Sequence, residues 1–184
     1  MSDQKQAVLD GWLMKAEIER ATVVLVGKAL WRCLRAADMA TFDFGKRRAS
    51  LDFRGNPREV GDLALHVQCA WRITRGDRVV VGNNDLYYPA DYVGEQNVVP
   101  PDFDWSRNPN RRDRLLSSLF EDGTKEFTVQ TVEVCPAGNL YIPLSEGLCL
   151  DVFPNDSSTD EYWRLFEPDK EGPHFVVTGG GITS

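Results

Sequence analysis

The chain has 184 residues, 42% apolar and 27% charged, an ordinary globular composition that excludes pervasive disorder and makes a single domain, 1–184, the economical reading. No apolar run nears the roughly 20 residues that cross a bilayer, and the N-terminus lacks the basic and apolar segments of a secretory signal, so a cytoplasmic protein is expected. The net charge of −7 is uneven, +2 over the near-neutral residues 1–114 and −9 over the acidic residues 115–184, which disfavours a nucleic-acid ligand for the acidic third.

In chain order, a helix is expected from Asp3 to about Arg20, capped by Ser2 or Asp3. Ala7, Val8, Trp12, Leu13, Ala16 and Ile18 fall mostly at helical spacing, although Gly11 works against it. Residues 21–37 read equally as strand or helix. Ala40, Phe42 and Phe44 then alternate with polar residues, Gly45 to Arg48 turns the chain, and Leu51 and Phe53 alternate again, which predicts a hairpin.

The clearest element runs from Leu63 to Thr74. Leu63, Leu65, Val67, Cys69, Trp71 and Ile73 occupy one parity without a break, the pattern of one long half-buried strand. Arg75-Gly76-Asp77 turns the chain into a partner strand at Val79-Val80-Val81. Asn83-Asn84 predicts a further turn, and Leu86-Tyr87-Tyr88-Pro89 a short strand.

Residues 89–110 are rich in Pro, Asp and Asn and read as a long loop, a class of segment that often carries function. A helix follows, with Asn108 as cap, Pro109 in the first position, an apolar stripe of Leu115, Leu116, Leu119 and Phe120, and Gly123 as stop. The acidic third reads as an antiparallel meander. Its strands are about Glu126–Cys135, then those carrying Leu140, Ile142 and Leu144 and carrying Leu148, Leu150 and Val152. An exposed polar loop, Pro154 to Asp160, precedes two short strands near 162–166 and 174–178, and Gly179-Gly180-Gly181 reads as a flexible tail. The fold class expected is α+β, a mostly antiparallel sheet or partly closed barrel with about two flanking helices.

No catalytic residue, metal site or cofactor is expected. The signatures G-x-S-x-G, H-E-x-x-H and G-x-x-x-x-G-K-[ST] are absent, and His66 and His174 have no partner at metal-ligand spacing. Cys33, Cys69, Cys135 and Cys149 form no C-x-x-C pair and are expected to be free thiols, mainly buried. The basic clusters Lys46-Arg47-Arg48 and Arg111-Arg112-Asp113-Arg114 read as a solvated turn and a solvated helix start. Trp-Arg occurs at Trp31-Arg32, Trp71-Arg72 and Trp163-Arg164. On a strand a buried Trp places the next residue on the outer face, where ion pairing is the simplest use of an arginine.

Two sets of candidate residues remain. His66, Gln68 and Arg72 share the polar face of the 63–74 strand and are candidate ligand-binding residues. Asp151, Asp156, Asp160 and Glu161 are candidate contacts to a basic partner, and their loop lacks the central glycine of a calcium-binding pattern.

Leu65-His66-Val67-Gln68-Cys69-Ala70-Trp71-Arg72-Ile73, followed by Val80-Val81-Gly82-Asn83-Asn84-Asp85-Leu86-Tyr87, resembles a family of small uncharacterised bacterial proteins. Leu150-Asp151-Val152-Phe153-Pro154, Trp163-Arg164-Leu165-Phe166 and His174-Phe175-Val176-Val177 carry the same resemblance, over about residues 30–182. It implies a bacterial cytosolic protein, and some proteins of this kind are similar to immunity partners of bacterial toxins. It carries no catalytic residues. The leading expectation is therefore a non-enzymatic protein-binding domain, immunity-like, with an acidic face for a basic protein. The alternative is a small-molecule or enzymatic domain using His66, Gln68 and Arg72.

Overall fold

The computed structural model describes residues 3–94 and 98–183, and it is α+β, with two helices and three antiparallel sheets, none closed into a barrel. Helix α1 (Asp3–Thr22) passes through a 3-10 turn (Val23–Leu25) into β1 (Ala29–Ala36), β2 (Met39–Phe44), β3 (Arg48–Leu51), β4 (Pro57–Val60), β5 (Leu63–Val67), β6 (Ala70–Arg75) and β7 (Arg78–Gly82). A 3-10 turn (Asn83–Tyr87) and a long loop lead to α2 (Arg111–Leu119). Then come β8 (Phe127–Thr128), β9 (Glu133–Val134), β10 (Leu140–Pro143), β11 (Leu148–Phe153), β12 (Glu161–Phe166), β13 (Phe175–Thr178) and β14 (Gly181–Thr183). The larger sheet has the order β14-β13-β12-β5-β2-β1-β8, the second β7-β6-β11-β10-β9, and β3-β4 stands apart. One hydrophobic core joins the two larger sheets, from Ile18 to Val177.

The expected long strand is divided. Leu65, Val67, Cys69, Trp71 and Ile73 are all buried as their parity requires, yet β5 lies in the larger sheet and β6 in the second. At the corner the amides of Gln68 and Cys69 both donate to the Tyr162 carbonyl, at 2.9 and 3.1 Å. Two amides on one acceptor make a bulge-like bend that lets a strand change sheets without losing its inward parity. The strand expected over 126–135 divides likewise, β8 pairing with β1 and β9 with β10.

Those divisions also break the meander. The β9-β10-β11 hairpins form, but β11 pairs with β6 and β12 with β5. Because the 63–75 segment bends between sheets, its two acidic-third partners are drawn into different sheets with it.

Other expectations are corrected by which strand edges are free. Both edges of β2 are taken, by β1 and β5. The chain beyond Gly45 therefore pairs β3 with β4 instead of with β2, leaving Leu51 and Phe53 exposed. Residues 86–89 are not a strand, because the Asp85 carboxylate accepts from the Gly82 amide at 2.8 Å and holds the 3-10 turn. Helix α2 starts later than expected. Asn110 is its cap, accepting from the Asp113 amide at 2.9 Å, while Asn108 accepts from the Asp104 amide in the preceding turn. Gly179-Gly180 is a hairpin turn, and β14 pairs with β13 through Val177↔Ile182, so this glycine run is no flexible tail.

Helix α1 spans the expected segment; of its two proposed caps, Ser2 lies outside the described residues. Trp12 and Leu13 are exposed, and the helix is anchored through Ile18, with Met14 packed on the core. A Cβ at Gly11 would make ordinary contact with Pro136 at 3.6 Å. None of the cysteines is disulfide-bonded. Cys33, Cys69 and Cys149 are buried, and Cys135 is exposed.

Candidate functional site

Trp71-Arg72 and Trp163-Arg164 are arranged as strand geometry requires, whereas the register of β1 shifts between Leu30 and Arg32 and the Arg32 guanidinium lies over the Trp31 ring. Trp31, Trp71 and Trp163 are fully buried. Their arginines pair with Asp43 at 2.9 Å, Asp151 at 2.8 Å and Glu161 at 2.6 Å. The two candidate sets are thereby linked. Arg72 holds Asp151, and Arg164 holds Glu161, so neither carboxylate stands free.

His66, Gln68 and Arg72 are not brought together on one strand face. His66 is on β5, opposite Thr41 and Arg164, and Arg72 is on β6 in the other sheet. Gln68 is exposed at the corner between them. The His66 ring meets the edge of Phe166 at 4.7 Å, and Phe166 stacks on His174 at 4.2 Å. Burial, reinforced by the Arg164 charge and opposed by Glu161, pushes His66 from 6.5 down to about 4.

That shift has a definite sign. A histidine that binds its proton more weakly when folded contributes stability that is complete above about pH 6.5 and is lost as pH falls toward about 4. Melting temperature followed by circular dichroism is expected to decline over this window, and His66→Gln to flatten that part of the profile. A variant profile parallel to the parent's would assign the decline to other groups.

The acidic loop is ordered by its own side chains. Asp156 accepts from the Ser158 amide at 2.8 Å, and the Ser158 hydroxyl accepts from the Asp160 amide at 3.3 Å. The Tyr162 hydroxyl lies 3.0 and 3.2 Å from the carbonyl oxygens of Asp156 and Ser158, which share its one hydrogen. Hydrogen bonds from Ser158 hold the Asp156 carboxyl below its ordinary range. Asp156 and Asp160 are exposed, and neither has an ion pair among the described residues.

A second feature was not legible as a site. Between β1 and α2 lies a groove of about 420 Å³ lined by Trp31, Cys33, Leu34, Leu116 and Phe120, with the Arg35–Asp113 pair at its side. The Arg32 and Arg47 guanidinium carbons lie 4.5 and 4.6 Å from the Trp31 ring centre. Burial pushes the Cys33 thiol far up.

Helix α2 also carries Arg112, which the basic cluster 111–114 placed in solvent and which is only 1% exposed. Its Nη1 donates to the Asp38 carbonyl at 3.0 Å, whereas Nε and Nη2 have no acceptor among the described residues. Its guanidinium lies 5.9 Å from the Trp71 ring centre. The signal was present in the sequence: Arg112, Leu116 and Phe120 are spaced four apart, on the apolar side of α2.

Among the described residues no group of three or more His, Cys, Asp or Glu is placed to hold a metal ion, and no helix is long and apolar enough to cross a membrane. Comparison with protein-family models, curated proteins and solved structures returned no match.

Proposed function

We propose that the protein is a non-enzymatic binding domain that meets a basic protein partner through the loop Pro154–Glu161, in an immunity-type role within a bacterial cytoplasm. The observation that supports this reading is the pairing of two exposed, uncompensated carboxylates, Asp156 and Asp160, with a loop already fastened by Ser158 and Tyr162. A loop ordered before binding loses little entropy on binding. Free charge on such a loop steers a basic partner and selects it over acidic ones. Asp151 and Glu161 support the loop's flanks through Arg72 and Arg164 and are not its contact groups. A small-molecule role for His66, Gln68 and Arg72 has less support, because Arg72 is already paired and lies in the other sheet.

The test is capture of a partner by the immobilised protein from bacterial lysate, followed by affinity measurement with the purified partner. Affinity is expected to fall with added salt and to drop at least about tenfold, roughly 1.4 kcal/mol, in Asp156→Asn/Asp160→Asn. A partner whose affinity ignores both salt and the double substitution would refute the acidic-loop reading.

A further inference from the structure

We infer that the β3–β4 ribbon docks on the acidic loop of a second copy of the chain, joining copies head to tail. The inference rests on the reading of residues 154–161 as a contact loop and adds the surface that meets it. Residues 46–60 carry five basic and two acidic side chains, whereas residues 154–161 carry three acidic and no basic ones. Two of the ribbon's arginines are paired, Arg48 with Asp62 and Arg58 with Asp169. Lys46, Arg47 and Arg54 are exposed and have no carboxylate partner among the described residues. They complement the equally uncompensated Asp156 and Asp160.

The tip of the ribbon is ordered before any contact. The Asp52 carboxylate accepts from the amides of Arg54 and Asn56, each at 2.8 Å, and from the Asn56 side chain at 2.9 Å. That turn presents Phe53 at 91% exposure and Leu51 at 62%, with the Arg54 guanidinium carbon 5.1 Å from the Phe53 ring centre. Covering two large apolar side chains on a fixed turn is favourable and costs little ordering entropy. Phe153 and Pro154, half-buried at the start of the acidic loop, offer apolar surface for them.

Within one molecule the two surfaces lie at opposite ends of the same strands. The acidic loop runs into β12 at Glu161 and sits by the Val67 end of β5, because Trp163 pairs with Val67. The ribbon enters β5 at its other end, Leu63, roughly 13 Å away along the strand. Its arginines fasten it there, Arg48 to the Pro168 carbonyl at 3.2 Å and Arg58 to Asp169 at 3.1 Å, both just beyond β12. The opposed charges are therefore met by another copy. A broad anionic surface, whether a membrane or a nucleic-acid backbone, would also press on Glu59, Glu167 and Asp169, which are exposed on or beside the ribbon. A compact acidic loop avoids them.

Each copy has one ribbon and one loop, so contacts of this kind propagate instead of closing at two. Sedimentation velocity is expected to show a weight-average mass that rises above the monomer's with concentration in about 20 mM salt and returns to it in about 0.5 M salt. Phe53→Ser/Arg54→Gln and Asp156→Asn/Asp160→Asn are each expected to weaken self-association at least about tenfold. Mixed together, the two variants are expected to form a 1:1 dimer and nothing larger, since the first keeps its loop and the second its ribbon. A protein monomeric at every concentration, or a mixture without dimer, would overturn the inference. Self-association kept in the ribbon variant would overturn the ribbon as a contact, and kept in the loop variant it would overturn the loop as the ribbon's seat. Ribbon-dependent cosedimentation with phosphatidylserine vesicles, without self-association, would assign the ribbon to a membrane instead. The proposed function fails separately, when a captured basic partner ignores both salt and Asp156→Asn/Asp160→Asn.

Discussion

Trp163→Ala is expected to lower the unfolding free energy by about 3–5 kcal/mol, the range for emptying a large aromatic site in a packed core. Trp163 is 0% exposed and sits on β12 between β5 and β13, opposite Val67 on one side and Val177 on the other. Its ring lies 6.0 Å from that of Phe175, and its Nε1 donates to the Gly138 carbonyl at 2.9 Å. Alanine would therefore remove packing from the middle of the larger sheet and deprive a buried carbonyl of its donor. Trp163→Phe refills most of the volume but not the hydrogen bond, and is expected to cost only about 1–2 kcal/mol. Denaturant unfolding of both variants measures the difference. Equal losses would mean that the hydrogen bond, and not the packed volume, carries the site.

Gly179→Ala is the second large effect, and it connects the fold to the proposed binding loop. A Cβ on Gly179 would lie 1.7 Å from the Ser158 carbonyl oxygen and 2.6 Å from the Tyr162 hydroxyl, while the Gly179 amide donates to the Asp160 carbonyl at 3.2 Å. No side chain avoids a backbone oxygen at that separation, so the β13–β14 turn or the acidic loop must move. The expected cost is about 1–3 kcal/mol, as for other forced overpacking. Partner affinity should fall with it, because the carbonyls that Tyr162 holds belong to the loop that is displaced. Gly180→Ala is the matched control, since the nearest atom to its Cβ would be the Thr178 hydroxyl oxygen at 3.6 Å. If Gly179→Ala melts like its control and binds normally, the two segments are not in contact as described.

Much of the local structure was legible in the chain itself. The unbroken apolar parity from Leu63 to Ile73 specified which side chains face the core, and the Arg75-Gly76-Asp77 turn into β7 follows from its residues. The β10–β11 hairpin and the outward Arg72 and Arg164 were equally readable, whereas the bulge that lays Arg32 over Trp31 was not. These are properties of neighbouring residues: periodicity, turn chemistry and the alternation of strand faces.

Pairing was decided elsewhere. The corner at Gln68–Cys69 preserves parity, so no period-2 pattern reveals it; it exists because the carbonyl of Tyr162, a residue far along the chain, receives both amides. The fate of β3 was settled by β1 and β5 occupying both edges of β2, and the acidic third was divided between sheets by the strands it met. Arg112 shows the same limit at the level of chemistry. Its sequence neighbours are charged and suggest solvent, but α2 buries it against Trp71, with Nε and Nη2 unpaired among the described residues. Local sequence determined which faces are apolar, whereas only the tertiary structure decided which edges meet and which polar groups are left without partners, because edge competition and burial depend on the whole chain at once.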